Sequence, residues 1–173
     1  SFILREKRGE YGADIPPGLT EDTGSYIGDD STHINHTIFD QQIRAMRQWM
    51  KDRGQQEKPL YVTEYGVLYA HCVQYSKGKC TLDLNNSQLV VDYMLWTFDY
   101  FQNTQDCSLG YTADSCRLVQ RWAWLALNSN FDVSNSNNSA MNKWGSLFNA
   151  TSTAIMPAGQ AFAEYVTKNV EVL

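Results

Sequence analysis

The sequence predicts an α/β fold, a parallel sheet under helical cover, and two observations carry that expectation. Helix-period and strand-period segments alternate along the chain, in the order loop, helix, strand, helix, strand, hairpin, helix. The composition is also that of a core-forming chain. Of 173 residues, 43% are hydrophobic and 13% aromatic, so disorder is excluded. No internal repeat or domain boundary interrupts the pattern, so residues 1–173 are read as belonging to one domain.

Each element follows from local pattern. Residues 1–36 are rich in Gly, Pro and Asp, with turn signals at Pro16-Pro17-Gly18 and Gly28-Asp29-Asp30. They read as a long irregular loop after a short strand end at Phe2 to Leu4, and loops of that length are often functional. Residues 37–53 give the clearest helix. Phe39, Ile43, Met46 and Met50 form an apolar stripe, flanked by Ile38 and Trp49. Thr37 is the expected N-cap and Gly54 the expected stop.

Residues 58–66 read as a strand. Alternation places Leu60, Val62 and Glu64 on one face. Residues 67–87 are expected to be loop, and 88–103 a second helix. Residues 118–127 form a second strand, with Gln120, Trp122 and Trp124 sharing a face. An Asn/Ser-rich loop at 128–142, a short hairpin around 149–152 and a final helix over 160–168 complete the order.

Charge and motif content remove several function classes. The formal net charge of −5, with no basic stripe, argues against nucleic acid. No apolar run reaches the roughly 18 residues a membrane span needs, since Asp92 and Asp99 break the longest one. Residues 1–10 are charged and do not resemble a signal peptide, so a secretion signal is expected upstream. His33, His36 and His71 have no metal-binding spacing and read as loop histidines. Neither a phosphate-cradling glycine loop nor any other cofactor motif is expected, and no metal.

The four cysteines fall into two close pairs. Three connectivities are possible, and local pairing, Cys72–Cys80 and Cys107–Cys116, is expected. Metal binding is the competing reading, with no CxxC spacing to support it. Asn-X-Ser/Thr sequons stand at Asn35, Asn85, Asn137 and Asn149. Together with the cysteines they point to an oxidising, secretory route and an extracellular or cell-surface location.

Glu64 is the sharpest chemical feature. Two apolar residues followed by a carboxylate at the C-terminal end of a strand is the pattern of a barrel strand reaching an active-site mouth. Glycoside hydrolysis needs two carboxylates flanking the scissile bond. The plainer account is a glutamate exposed at a strand end.

The segment Lys58-Pro59-Leu60-Tyr61-Val62-Thr63-Glu64-Tyr65-Gly66 resembles the seventh strand of clan A glycoside hydrolases. In that clan the Glu of a Thr-Glu-aromatic-Gly segment is the nucleophile of a retaining reaction. The preceding helix looks like the sixth, Arg121-Trp122-Ala123-Trp124 like the eighth strand, and the Trp144 to Gly159 stretch like the exit into the final helix. The resemblance covers roughly residues 37–169. It implies the C-terminal part of a (β/α)8 barrel, from the end of strand six onward and incomplete on its own.

The clan's acid/base glutamate follows an Asn at the end of the fourth strand, and this sequence has no Asn-Glu dipeptide. That residue is therefore expected outside this chain. The implied partners are a carbohydrate substrate and the remaining part of the barrel or a partner chain. Trp124 is expected to stack on sugar, with barrel filling as the alternative; Trp122 is read mainly as core, and Tyr65 as either a neighbour of the nucleophile or packing. Arg5 and Glu6 could rim the cleft or form a surface ion pair. The expected function is a retaining glycosidase of extracellular poly- or oligosaccharide. The alternatives are a non-catalytic structural or carbohydrate-binding protein on the same scaffold, and a transglycosylase.

Overall fold

The computed structural model describes residues 30–70, 72–128 and 142–169. A 3-10 turn at Asp30–Ile34 leads into α1 (His36–Asp52), then β1 (Tyr61–Tyr65), a hairpin of β2 (Cys72–Ser76) and β3 (Lys79–Asp83), α2 (Ser87–Asn103), β4 (Arg121–Trp124) and α3 (Pro157–Asn169). The architecture is mixed α/β. β1 and β4 pair in parallel, joined through α2, and β2 and β3 form a separate antiparallel ribbon. Among the described residues, no helix is long and apolar enough to cross a membrane.

The core lies where α1 and α2 cover one face of the β1–β4 pair. Phe39 and Ile43 from α1 meet Tyr65 from β1, and Tyr93, Phe98 and Phe101 from α2. Edge-on ring contacts dominate: Tyr65 meets Phe101 at 5.3 Å and Trp124 at 5.2 Å, both near perpendicular. Such contacts add about 0.5–1.5 kcal/mol each beyond area burial. α3 closes the outside of α2 through Phe98, which meets Phe162 at 5.5 Å and Tyr165 at 5.3 Å. Gly159 lets α3 sit close, because a Cβ there would stand 2.2 Å from the Leu147 carbonyl oxygen.

Several local expectations change. α1 is capped by Asn35, whose side chain accepts from the Ile38 N–H at 3.0 Å; Thr37 already lies inside the helix. The inward stripe of α1 is Phe39, Ile43, Arg47 and Met50, while Met46 stands 43% exposed. Arg47 wins the inward position because its head meets strand-end carbonyls that a methionine would leave unpaired. Its Nε donates to Leu118 O at 2.6 Å, Nη1 to Lys58 O at 2.9 Å and Nη2 to Gln120 Oε1 at 2.5 Å. Burial lowers the Arg47 pKa from its usual value.

The second strand is also shorter than its apolar run. Leu118 and Val119 are buried but precede β4, and Gln120 turns its amide to accept from Leu60 N–H at 2.8 Å. The segment expected as loop at 67–87 contains the β2–β3 hairpin. Near the predicted hairpin at 149–152, Phe148 and Ile155 form an antiparallel bridge and Asn149 N–H bonds to Ala154 O at 2.8 Å. Most of the long loop expected over 1–36, including Arg5 and Glu6, lies outside the described residues, as do His71 and Asn137.

Candidate functional site

Glu64 occupies the C-terminal end of β1, and the backbone there explains its orientation. Leu60 and Val62 are buried against the helices, but Glu64 is exposed. The β1–β4 register shifts between Val62 and Tyr65. That irregularity breaks strict alternation, so Tyr65 turns inward and Glu64 outward. The shared face expected for Leu60, Val62 and Glu64 is therefore split.

The residues around Glu64 are gripped from several sides. Tyr65 is 2% exposed, and its hydroxyl pairs with Thr97 Oγ1 of α2 at 3.1 Å. Burial raises the Tyr65 pKa well above its ordinary value. Leu125 N–H donates to Tyr65 O at 2.8 Å. At Gly66 a Cβ would stand 2.5 Å from Leu125 O, so the ends of β1 and β4 approach only because glycine follows the Glu-Tyr pair. Trp124 donates its indole N–H to Gly145 O at 2.7 Å, tying the end of β4 to the loop before α3.

Among the described residues, no hydrogen-bond or ion-pair partner stands beside the Glu64 carboxylate. Other carboxylates are committed. Asp40 and Asp106 are held by Arg44, Asp114 by Arg117, Glu57 by the Thr112 hydroxyl, and Asp99 by the Tyr165 hydroxyl. The strand end sets the backbone position of Glu64, and its oxygens are free to attack or to accept a proton.

The aromatic candidates fall in two places. Tyr65 and Trp124, the latter 8% exposed, pack within the core. Trp122 is half-buried and lines a cleft of about 390 Å³ with Phe98, Ala123, Leu127, Phe162 and Tyr165. Tyr61, Thr63, Arg121 and Ala123 of the strand pair are also exposed. Both cysteine pairs are disulfide-bonded, Cys72 to Cys80 and Cys107 to Cys116. Asn35, Asn85 and Asn149 are all exposed.

No group of three or more His, Cys, Asp or Glu able to hold a metal occurs among the described residues. His33 lies edge-on to Tyr69 at 4.8 Å. His36 stacks on Trp96 at 3.7 Å, and burial lowers its pKa.

Asn142 had no sequence signal, because it follows a polar Asn/Ser tract. It is 3% exposed, and its amide donates to Tyr69 O at 2.8 Å and Leu84 O at 2.6 Å. It thereby staples both ends of the segment that contains the β2–β3 hairpin. Arg47 did have a signal: an arginine four residues after Ile43 within an apolar helical stripe.

No protein-family model matches this chain, and neither a curated protein nor a solved structure does so.

Proposed function

We propose that this chain is the C-terminal part of a retaining glycoside hydrolase built on a (β/α)8 barrel, with Glu64 as the nucleophile. The observation that carries the reading is an exposed, uncommitted carboxylate at the C-terminal end of a parallel strand, the end at which barrel enzymes place their chemistry. Completion by further strands is supported by the β1–β4 pair itself. Parallel sheets are normally covered on both faces, yet Tyr61 is 57% exposed on the face away from the helices. In this reading the cleft beside Trp122 receives part of the same barrel.

The reaction follows from two carboxyl groups. Glu64 attacks the anomeric carbon and displaces the leaving oxygen, which takes a proton from a second glutamate outside this chain. That glutamate, now ionised, removes a proton from water, and the resulting hydroxide oxygen displaces Glu64 from the sugar. The two groups should stand about 5–5.5 Å apart in the assembled barrel. The two disulfides support an oxidising compartment, hence secretion and an extracellular polysaccharide or oligosaccharide as substrate.

In the complete polypeptide, Glu64→Gln should lower hydrolysis about a thousandfold or more. A 2-deoxy-2-fluoroglycoside should label the peptide containing Glu64. Hydrolysis at the parent rate in Glu64→Gln overturns the assignment. One observation favours a second reading, a non-catalytic carbohydrate-binding or structural protein: the Tyr65 and Trp124 rings are engaged inside the core. Retained sugar binding with no turnover in the unaltered protein would select that reading.

A further inference from the structure

We propose that the disulfide-locked hairpin Cys72–Asp83 forms a wall of the glycan site, with Tyr75 as a platform for a pyranose ring away from the cleaved bond. The inference rests on the glycosidase reading of Glu64 and names where a longer glycan is held. Chain topology sets the location. The hairpin lies within the connection from β1 to α2, so it emerges from the same strand end that carries Glu64. Ligands of parallel α/β sheets bind outside the carboxyl ends of the strands, among these connections.

The hairpin is built to hold a position. Lys77 and Gly78 both adopt left-handed backbone, with φ of 49° and 74°, which gives the tight two-residue turn between β2 and β3. A two-stranded ribbon alone is marginal in water. Here the Cys72–Cys80 disulfide closes it, and the Asn142 amide fixes its base at Tyr69 and Leu84.

What this scaffold presents is largely side chain without core contact. Tyr75 is 68% exposed, more than any other large apolar or aromatic side chain described as exposed. Gln74, Ser76, Lys77 and Lys79 of the same ribbon are also exposed, with Gln74 and Ser76 on the face opposite Tyr75 and Lys77 in the turn beyond it. A ring face offers apolar contact to the C–H face of a sugar, and the ammonium of the exposed turn residue Lys77, two residues on, is a donor for hydroxyls. Because the ribbon is already ordered, little entropy is lost when a glycan docks.

The test is affinity electrophoresis of the complete protein in gels containing laminarin, lichenan, xylan or hydroxyethyl cellulose, alongside hydrolysis of the same polymers. Retardation by at least one polymer is expected. Tyr75→Ala should weaken it about fivefold, Tyr75→Phe should retain it, and Glu64→Gln should bind like the parent. Unchanged retardation in Tyr75→Ala, or hydrolysis without retardation, overturns the role of the hairpin and leaves the glycosidase reading standing. Neither retardation nor hydrolysis of any of these polymers by the parent protein overturns both.

Discussion

The two disulfide loops are nearly equal in covalent terms and opposite in how the fold uses them. Cys72–Cys80 spans 8 residues and Cys107–Cys116 spans 9, with Cα atoms 6.0 and 4.7 Å apart. The second loop is woven into the molecule. Gln56 donates to Cys107 O and Gly110 O, Lys51 to Ser108 O, and Asp106 accepts from Arg44 of α1. Gly110 has no room for a Cβ, which would stand 1.9 Å from Cys116 O. The first loop is stapled at its base by Asn142, touches the 3-10 turn through β2 and projects an exposed ribbon. Loop length alone gives the two crosslinks similar worth; their attachment to α1 and the strand starts, or lack of it, should set them apart.

The contrast can be broken first at Arg47. Arg47→Leu takes the arginine donor from the Leu118 and Lys58 carbonyls beneath the lower end of the strands, while the Gln120 amide keeps its bonds to Leu60 N–H and Arg117 O. A loss of about 3 kcal/mol in urea unfolding is expected, and a loss below about 1 would mean the carbonyls find water. Next comes the pair of double variants. Cys107→Ser with Cys116→Ser should lower global stability by roughly 2–3 kcal/mol. Cys72→Ser with Cys80→Ser should leave the global transition within about 1 kcal/mol and act locally, as faster amide exchange confined to β2 and β3. Equal global losses would abolish the distinction. Asn142→Ala should cost about 2 kcal/mol, since the buried Leu84 carbonyl and the part-buried Tyr69 carbonyl lose this donor, and it should speed exchange in the same hairpin.

The smallest effect is a pH dependence at the woven loop. Asp106 has its carboxyl pKa lowered, first by the Ser108 hydroxyl, then by the Ser108 backbone N–H and by Arg44. Its folded value lies below the unfolded one of about 3.9, so its contribution is complete above that pH and fades as pH falls through the folded value. Asp106→Asn should therefore be less stable than the parent at neutral pH, with the difference shrinking below about pH 4 by thermal melts. A difference that stays constant with pH would assign the loss to geometry instead of charge.

Much of the element order was legible because it depends on local periodicity. The apolar spacing of Phe39, Ile43 and Met50 survives in the buried face of α1, and Gly54, with φ of 65°, follows the helix as its stop. The Glu64 strand was likewise readable from Leu60 and Val62. What misled was the assumption of unbroken alternation, because a register shift reverses every side chain after it. Trp124 reads as a sugar platform or as barrel filling, and Tyr65 as a neighbour of the nucleophile or as packing; the same aromatic size that suits a site also suits a core, and local sequence does not distinguish the two.

By itself the sequence determined the composition of the core, the alternation of helix and strand, the close cysteine pairs and the placement of one glutamate at the end of an apolar strand. These follow from side-chain period and from short covalent reach. Only the tertiary structure decided that Arg47 replaces Met46 inside, that Asn142 holds the hairpin, and that Glu64 faces out while Tyr65 faces in. The first two depend on which carbonyls come within hydrogen-bond reach across 58 to 73 residues of chain, and the third on a register shift between strands far apart in sequence, and no local pattern encodes either.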